Sequence, residues 1–247
     1  MPRQPRIPIH PASILKHLSP SMLYGRFVKE SQYLASLHYN LQAVGWQDLV
    51  FFPDGFGGNA SFLYLLFKVL YNEKPQTILE LGSGQSTFFT SRYAKENNAT
   101  LLILEDNSYW YELFQSKIFT GEKIRYVLAP LTEIRVQKKK RRWYNTTLLQ
   151  DEDTRYQLII VDGPPGDYRF SRLGILAFIP KIIDPANFII IFDDSARKGE
   201  RDTISRLGRI LRQNKIPYCK FHVYGSKRQT CIASKRYSYI STQWCLF

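Results

Sequence analysis

The chain has 247 residues, of which 34 are Lys or Arg and 21 are Asp or Glu, so its formal charge is +13. This length suits one α/β domain with an N-terminal extension and argues against two full domains. The positive charge favours anionic partners by long-range attraction, although it can also serve solubility alone. Three cysteines, an odd number without metal-ligand spacing, argue against a disulfide framework and predict reduced thiols in a cytoplasmic protein: Cys219, Cys231 and Cys245.

The N-terminal region predicts an extended arm followed by helices. Residues 1–20 contain five prolines, which disfavour both helix and strand. Apolar side chains at helical spacing then predict a helix from Ser21 to Gly45, and a second, almost wholly apolar helix ends near Tyr71, after a loop at 51–58. We expect the second helix to pack on a sheet or to shield a ligand cleft, within a helical extension over 21–75. The start lacks the apolar core of a signal peptide, and the most apolar window, 62–71, is too short to span a bilayer.

The segment ILELGSGQST at 78–87 organises the rest of the chain. Its apolar residues predict a buried strand that ends at the carboxylate of Glu80, followed by a tight turn at Gly82 and Gly84 and a helix over 86–96. Glycines let the backbone approach a ligand closely, and the first amides of a helix can bind a carboxylate or phosphate. A dinucleotide-binding loop would have a third glycine where Thr87 stands, which weakens that interpretation.

Beyond this loop, strands and helices alternate, which predicts a mostly parallel sheet in a domain over 76–235. The predicted strands lie at 100–104, 123–128, 157–161, 188–192, 218–224 and 229–234, and helices at 108–118 and 200–213. A long loop at 129–156 contains the basic run KKKRR at 138–142 and the aromatic residues Trp143 and Tyr144. No structure is predicted for the tail at 236–247.

Acidic side chains stand at the carboxyl ends of the predicted strands, where an open α/β sheet binds its ligands. These strand-end acids are Glu80, Glu105, Asp106, Asp162, Asp193 and Asp194. Glu105 follows Gly84 by 21 residues, where a carboxylate can accept hydrogen bonds from both hydroxyls of a ribose. For its neighbour Asp106 we predict either a helix cap or a position beside an adenine.

Four segments in order resemble the class I S-adenosylmethionine-dependent methyltransferases, in particular those that O-methylate sugars, polysaccharides and secondary metabolites. They are ELGSGQST at 80–87, LEDNSYW at 104–110, VDGPPG at 161–166 and FDDSAR at 192–197. The resemblance implies a Rossmann-like fold, with a mostly parallel, seven-stranded type of sheet and helices on both faces. It also implies S-adenosylmethionine as cofactor, bound by Glu80, Gly82, Ser83, Gly84, Ser86, Glu105, Asp106 and Asp162. Ser86 departs from the pattern, because many members have a third glycine there.

The same resemblance assigns Asp162, Asp193 and Asp194 to the methyl acceptor. Some members hold Mg²⁺ with such acids, and a hard cation would orient the acceptor hydroxyl and lower its pKa. In the alternative without metal, Asp162 positions the cofactor or acts alone as the base, and the other two acids cap the next turn. Both alternatives are open at this point.

The expected activity is O-methylation of a sugar, glycan or small secondary metabolite. An acidic acceptor would suit Arg169 and Arg172, and the loop at 129–156 would form a lid over it. The charge favours a second hypothesis, a nucleic-acid methyltransferase, but the Asn- or Asp-Pro-Pro-aromatic motif of amino-methylating enzymes is missing because Gly163 follows Asp162. A third is a basic, non-catalytic binding protein on the same fold. The sequence does not predict the oligomeric state.

Overall fold

The computed structural model describes residues 20–49, 58–137, 139–145, 154–166 and 169–240. Three predicted segments lie outside these ranges. They are the arm apart from Pro20, the loop at 51–58 apart from Gly58, and the last seven residues, which include Cys245. Within them, no helix combines the length and the apolar character needed to cross a bilayer.

A seven-stranded sheet forms the centre of the fold, in the order β3-β2-β1-β6-β7-β9-β8. Its strands are β1 (Thr77–Leu81), β2 (Thr100–Glu105), β3 (Ile124–Leu128), β6 (Leu158–Val161), β7 (Ile189–Phe192), β8 (Tyr218–Tyr224) and β9 (Arg228–Ser234). The first five in spatial order run parallel, and β9 is antiparallel to both of its neighbours. The predicted mostly parallel sheet is therefore confirmed. The chain leaves β1 towards β2 on one side and returns to β6 on the other, which creates the switch point where such sheets bind ligands.

Helices cover both faces of the sheet, as expected for buried parallel strands. They are α1 (Pro20–Ala43), α2 (Ala60–Glu73), α3 (Gln85–Asn97), α4 (Ser108–Gln115) and α5 (Lys198–Gln213). One apolar core joins α1, α2 and α3 to the sheet, and the other lies under α5 and a 3-10 helix, Ser171–Ala177. Leu37 and Leu41 of α1 are buried whereas Phe27 is exposed, so α1 packs through its second half.

The prediction of one long loop at 129–156 is wrong over 131–144, whereas Lys138 and residues 146–153 lie outside the described residues. Strands β4 (Leu131–Val136) and β5 (Lys139–Tyr144) pair there as an antiparallel hairpin. Trp143 and Tyr144 are fully buried in the second core, and Lys140 forms an ion pair with Glu133 at 2.7 Å. The basic run therefore belongs largely to a paired strand, and its two aromatic neighbours do not form the exposed surface of a lid.

Candidate functional site

The loop after β1 lies directly against the loop after β6. Gly82 has φ of +87°, and a Cβ at this position would lie 2.7 Å from the Gly163 nitrogen. Both the left-handed backbone and this close approach require glycine. Gly82 also donates its amide to the Leu104 carbonyl of β2, at 2.9 Å. The loops that follow β1 and β6 and the carboxyl end of β2 are therefore held together at the switch point.

Glu80 is fully buried at the base of this loop. Its carboxylate accepts hydrogen bonds from the hydroxyls of Ser86 at 2.6 Å, Thr87 at 3.0 Å and Thr90 at 2.5 Å. Burial raises the pKa of Glu80 to about 7, although these hydrogen bonds oppose the shift. Glu80 and Ser86 thus connect β1 to the first turn of α3. Thr87, which breaks the dinucleotide pattern, takes part in the same network.

Glu105, at the end of β2, is buried against the glycine loop. Its Oε2 accepts hydrogen bonds from the Ser83 amide at 2.8 Å and the Ser83 hydroxyl at 2.7 Å, and its Oε1 accepts the Asn107 amide at 2.9 Å. A carboxylate has about four acceptor positions, so three are used in the free protein. A ligand with two neighbouring hydroxyls would use the fourth and displace one Ser83 donor.

The aromatic residues around Ser83 were not predicted. The Ser83 hydroxyl lies 2.8 Å from the Tyr126 hydroxyl, and the Ser83 carbonyl accepts the Trp110 indole N–H at 2.8 Å. Trp110 belongs to the recognised segment at 104–110, but its contact with a residue 27 positions earlier depends on how α4 packs.

Asp106 is half-buried beside Glu105, but it does not cap the following helix. Asn107 is the N-cap of α4, because its side chain accepts the Trp110 amide at 3.0 Å. The predicted capping role of Asp106 is therefore wrong, and the position beside the cofactor stays a prediction. Gly84 precedes α3 and donates its amide to the Thr87 hydroxyl at 2.9 Å.

Tyr144 reaches the same region from the hairpin strand β5. It is fully buried, its hydroxyl has no hydrogen-bond partner among the described residues, and a Cβ added at Gly163 would collide with that hydroxyl. Burial, together with the negative charges of Asp106 and Glu105, raises its pKa well above the usual value. A buried polar group without a partner is costly and invites a functional explanation. From the sequence, where Tyr144 follows a basic run, we predicted a lid over the acceptor and not a buried residue.

The acids after β6 and β7 converge. Oxygens of Asp162, Asp193 and Asp194 all lie within 4.8 Å of one another, because their strands are neighbours and parallel. Asp194 has φ of +52°, a left-handed conformation that is uncommon for a residue with a side chain and is often found at functional sites.

Three cations accompany these three carboxylates. Arg172, whose side chain is 3% exposed, places Nη2 at 3.1 Å from Asp162 Oδ1 and 3.9 Å from Asp194 Oδ2. Arg197 lies 2.8 Å from Asp194 Oδ2. The ammonium of Lys227 lies 3.7 Å from oxygens of both Asp193 and Asp194. The formal charges of the cluster therefore cancel.

These contacts do not fit a resident divalent cation. Mg²⁺ needs a near-octahedral set of oxygen ligands, and here cations already contact all three carboxylates. Arg172 would have to leave before a metal could take its place, and it is held inside the protein by the carbonyl of Asp193 at 2.8 Å, while Lys227 lies 3.7 Å from Asp193 and Asp194, beyond hydrogen-bond distance.

The expectation that Arg169 and Arg172 bind an acidic acceptor is not supported. Arg172 is buried and engaged as described, and Arg169 forms an ion pair with Asp202 at 2.6 Å. Arg169 pairs with an aspartate 33 residues away and Arg172 with one 10 residues away, and spacing in the sequence did not predict these pairs.

The N-terminal extension supports the acidic cluster through side-chain hydrogen bonds. The amide of Gln229 donates to Asp193 Oδ1 at 2.8 Å and to Asn59 Oδ1 at 2.9 Å, and Asn59 in turn donates to Glu30 of α1 at 3.0 Å. None of these three polar residues was a predicted site residue. This chain of contacts is here called the Glu30–Asp193 network.

Two acids of the cluster differ in their affinity for a proton. Burial raises the pKa of Asp162 to about 7, and the charge of Asp193 adds to the shift, against the effects of Arg172 and Lys227. Burial also acts on Asp193, but Lys227, Arg172 and the hydrogen bond from Gln229 outweigh it and keep its pKa below the usual value. At neutral pH Asp193 is therefore charged, while Asp162 can take up or release a proton.

Comparison with solved structures shows the fold. A Bacillus cereus O-methyltransferase in complex with S-adenosylhomocysteine aligns with a TM-score of 0.56 and 12% identity, over 87% of this chain and 100% of that chain. An S-adenosylhomocysteine-bound methyltransferase from Podospora anserina aligns with a TM-score of 0.49 and 17% identity, over 74% and 82% of the two chains. A methyltransferase from Pyrococcus furiosus aligns with a TM-score of 0.48 and 14% identity, over 85% of this chain and 99% of that chain. No protein-family model and no curated protein matches the sequence significantly.

Proposed function

We propose that this chain, which has the Rossmann-like fold of class I methyltransferases, is an S-adenosylmethionine-dependent O-methyltransferase. The observation that carries the proposal is the meeting of three features at the switch point: the Gly82–Gly163 contact, the Glu105 carboxylate and Asp162 with its raised pKa. The fold shared with the Bacillus cereus O-methyltransferase supports it. A fold alone does not fix a function, so the site carries the argument.

The residues at the switch point fit the cofactor. When bound, S-adenosylmethionine supplies an electrophilic sulfonium methyl group. Glu105 would accept hydrogen bonds from the ribose hydroxyls, while the Tyr144 hydroxyl would gain the partner that it lacks in the free protein. The backbone of Ser83 and Gly84 would approach the ligand, and Glu80 with Ser86 would hold that loop in shape. Asp106 and Asp162 would flank the ligand from the neighbouring strand ends.

The acidic cluster would serve the acceptor. Asp162 would take the proton of a hydroxyl bound beside it and so make the oxygen of that hydroxyl a nucleophile for the electrophilic methyl group. A base with a pKa near the working pH is effective in such a step. Asp193 and Asp194 would hold Lys227 in place beside the reacting oxygen, where its positive charge stabilises developing negative charge. The acceptor class that we propose is a sugar, a glycan or a small secondary metabolite.

Calorimetric titration with S-adenosylmethionine and S-adenosylhomocysteine tests the cofactor assignment. We expect dissociation constants in the micromolar range, which correspond to a binding free energy of about −8 kcal/mol. An acceptor screen that detects released S-adenosylhomocysteine would follow. Absence of binding by both ligands, in protein shown to be folded by circular dichroism, would refute the proposal.

Tyr144→Phe should separate binding from stability. We expect the dissociation constant of S-adenosylhomocysteine to rise about tenfold, because the hydroxyl loses its ligand contact. The melting temperature should stay unchanged or rise, because that hydroxyl has no partner in the free protein. Tyr39→Phe, at an exposed position of α1, is the matched control. Unchanged affinity together with increased stability would mean that Tyr144 has no role in binding.

Metal removal should have little effect. After treatment with EDTA and dialysis, we expect S-adenosylhomocysteine affinity and methyl transfer to remain within about twofold and the melting temperature to stay unchanged, since cations of the chain already neutralise the acids. A loss of methyl transfer that added Mg²⁺ restores would show that a metal displaces Lys227 in the working enzyme.

A further inference from the structure

A cavity of about 350 Å³ lies between α5 and the sheet edge formed by β8 and β9. Strand β8 is the outermost strand, three places beyond β6, and the cavity opens between it and α5, while Arg228 at one end follows Lys227 of the acidic cluster. Ile204 and Ile232 form part of its apolar floor, and four cationic side chains line it: Arg201, Arg212, Lys220 and Arg228. We call it the basic groove.

The cations of the basic groove have no acidic partners in the part of the chain that the structure describes. The groove has no Asp or Glu in its lining, and among the described residues no carboxylate lies within ion-pair distance of any of the four. Arg212 donates to the Tyr218 hydroxyl at 2.6 Å, and Arg228 donates to the Ser195 hydroxyl at 3.2 Å. Both partners are neutral. By contrast, Arg169, Arg172 and Arg197 are all paired with aspartates.

Unpaired like charges around one cavity repel one another, and an anion would relieve that repulsion. The same charges act on His222, which also lines the groove. Partial burial lowers the pKa of His222, and Arg228 and Lys220 lower it further. Hydroxyl donors are present as well, from Ser205 and Tyr218. Gly208 lets Tyr218 approach α5, since a Cβ there would lie 2.6 Å from the Tyr218 hydroxyl.

We propose that the basic groove binds a small molecule that carries two or more phosphate charges. The planar, forked guanidinium group matches phosphate oxygens, and the hydroxyls can donate to the remaining oxygens. The volume is near the lower limit of small-molecule sites and suits a compact ligand more than a long polymer. This site goes beyond the proposed methyl transfer and does not depend on it.

Calorimetric titration of the full chain with inorganic pyrophosphate, in chloride buffer, tests the proposal. We expect binding that Arg212→Gln and Lys220→Gln each weaken about tenfold. Arg209→Gln removes one charge from an exposed position of α5 outside the groove, so it should change affinity less than twofold. Lys220 is exposed on β8, so its variant remains informative if Arg212→Gln, which loses the hydrogen bond to Tyr218, proves unstable. Saturating S-adenosylhomocysteine should leave pyrophosphate affinity unchanged.

Several results would overturn the proposal. Equal weakening by Arg209→Gln would mean that net charge, and not the groove, attracts the anion. Competition by S-adenosylhomocysteine would place pyrophosphate at the switch point. Absence of pyrophosphate binding, with salt-sensitive binding of a single-stranded oligonucleotide, would identify a nucleic-acid surface instead.

Discussion

Replacement of Glu105 by alanine is expected to weaken S-adenosylhomocysteine binding by at least about a hundredfold. Hydrogen bonds to a charged acceptor contribute about 1.5–3 kcal/mol each, and the ribose would lose two of them. The variant also removes the acceptor of both Ser83 donors, so the glycine loop would lose its fixed position. Titration calorimetry with the purified variant measures the effect.

The controls for this experiment separate charge from shape. Glu105→Gln keeps an oxygen for Ser83 and should bind with intermediate affinity, whereas Glu122→Ala, at an exposed position, should bind like the original protein. Melting temperatures establish that each variant is folded. If Glu105→Ala bound within threefold of the original protein, the ribose assignment would be wrong.

Asp162→Asn should lower methyl transfer by about 10²- to 10⁴-fold, the usual contribution of a general base. Affinity for S-adenosylhomocysteine should stay within about threefold, because the amide has the same shape as the carboxylate and still offers an oxygen to Arg172. Asp202→Asn, which alters only an ion pair with exposed Arg169, is the control. The assay requires an acceptor from the screen and follows S-adenosylhomocysteine release.

The pH dependence provides an independent test of the same residue. The base must be deprotonated, so the rate of the original enzyme should rise with pH through the raised pKa of Asp162, about 7, and level off above it. The residual rate of Asp162→Asn should lack this rise. The same rise in the variant would assign the titration, and with it the base, to another group.

The sheet could be predicted because its signals are local. β1, β6 and β7 are short apolar runs that end at a glycine or an aspartate, and such runs indicate buried parallel strands. The hairpin was missed because β5 is dominated by lysine and arginine, which are depleted from strands or neutral there. Its stability comes from pairing with β4 and from burial of Trp143 and Tyr144, which only the folded chain shows.

The acidic residues of the site could be predicted from the sequence, whereas its basic residues could not. The rule that ligands bind at the carboxyl ends of parallel strands was sufficient to expect the strand-end acids in one region. Their cations come from elsewhere: Arg172 from a 3-10 helix and Lys227 from the turn between β8 and β9. Sequence spacing does not encode such contacts, so the balance of charge that disfavours a metal became visible only in three dimensions.

The site has two halves, the loops that would bind the cofactor and the acidic cluster that would serve the acceptor. Because of the Glu30–Asp193 network, the second half depends more on contacts between distant residues. The cofactor half is built from residues between Glu80 and Gly163, whereas the acceptor half needs Gln229, which bonds to Asn59 across 170 residues. Closing a segment of that length has a high entropic cost, and contacts between distant residues slow folding. A growing or partly unfolded chain can therefore hold its glycine loop in place before Asp193 has its support. Detachment of β8 and β9 would remove that support while leaving the Glu105 side intact.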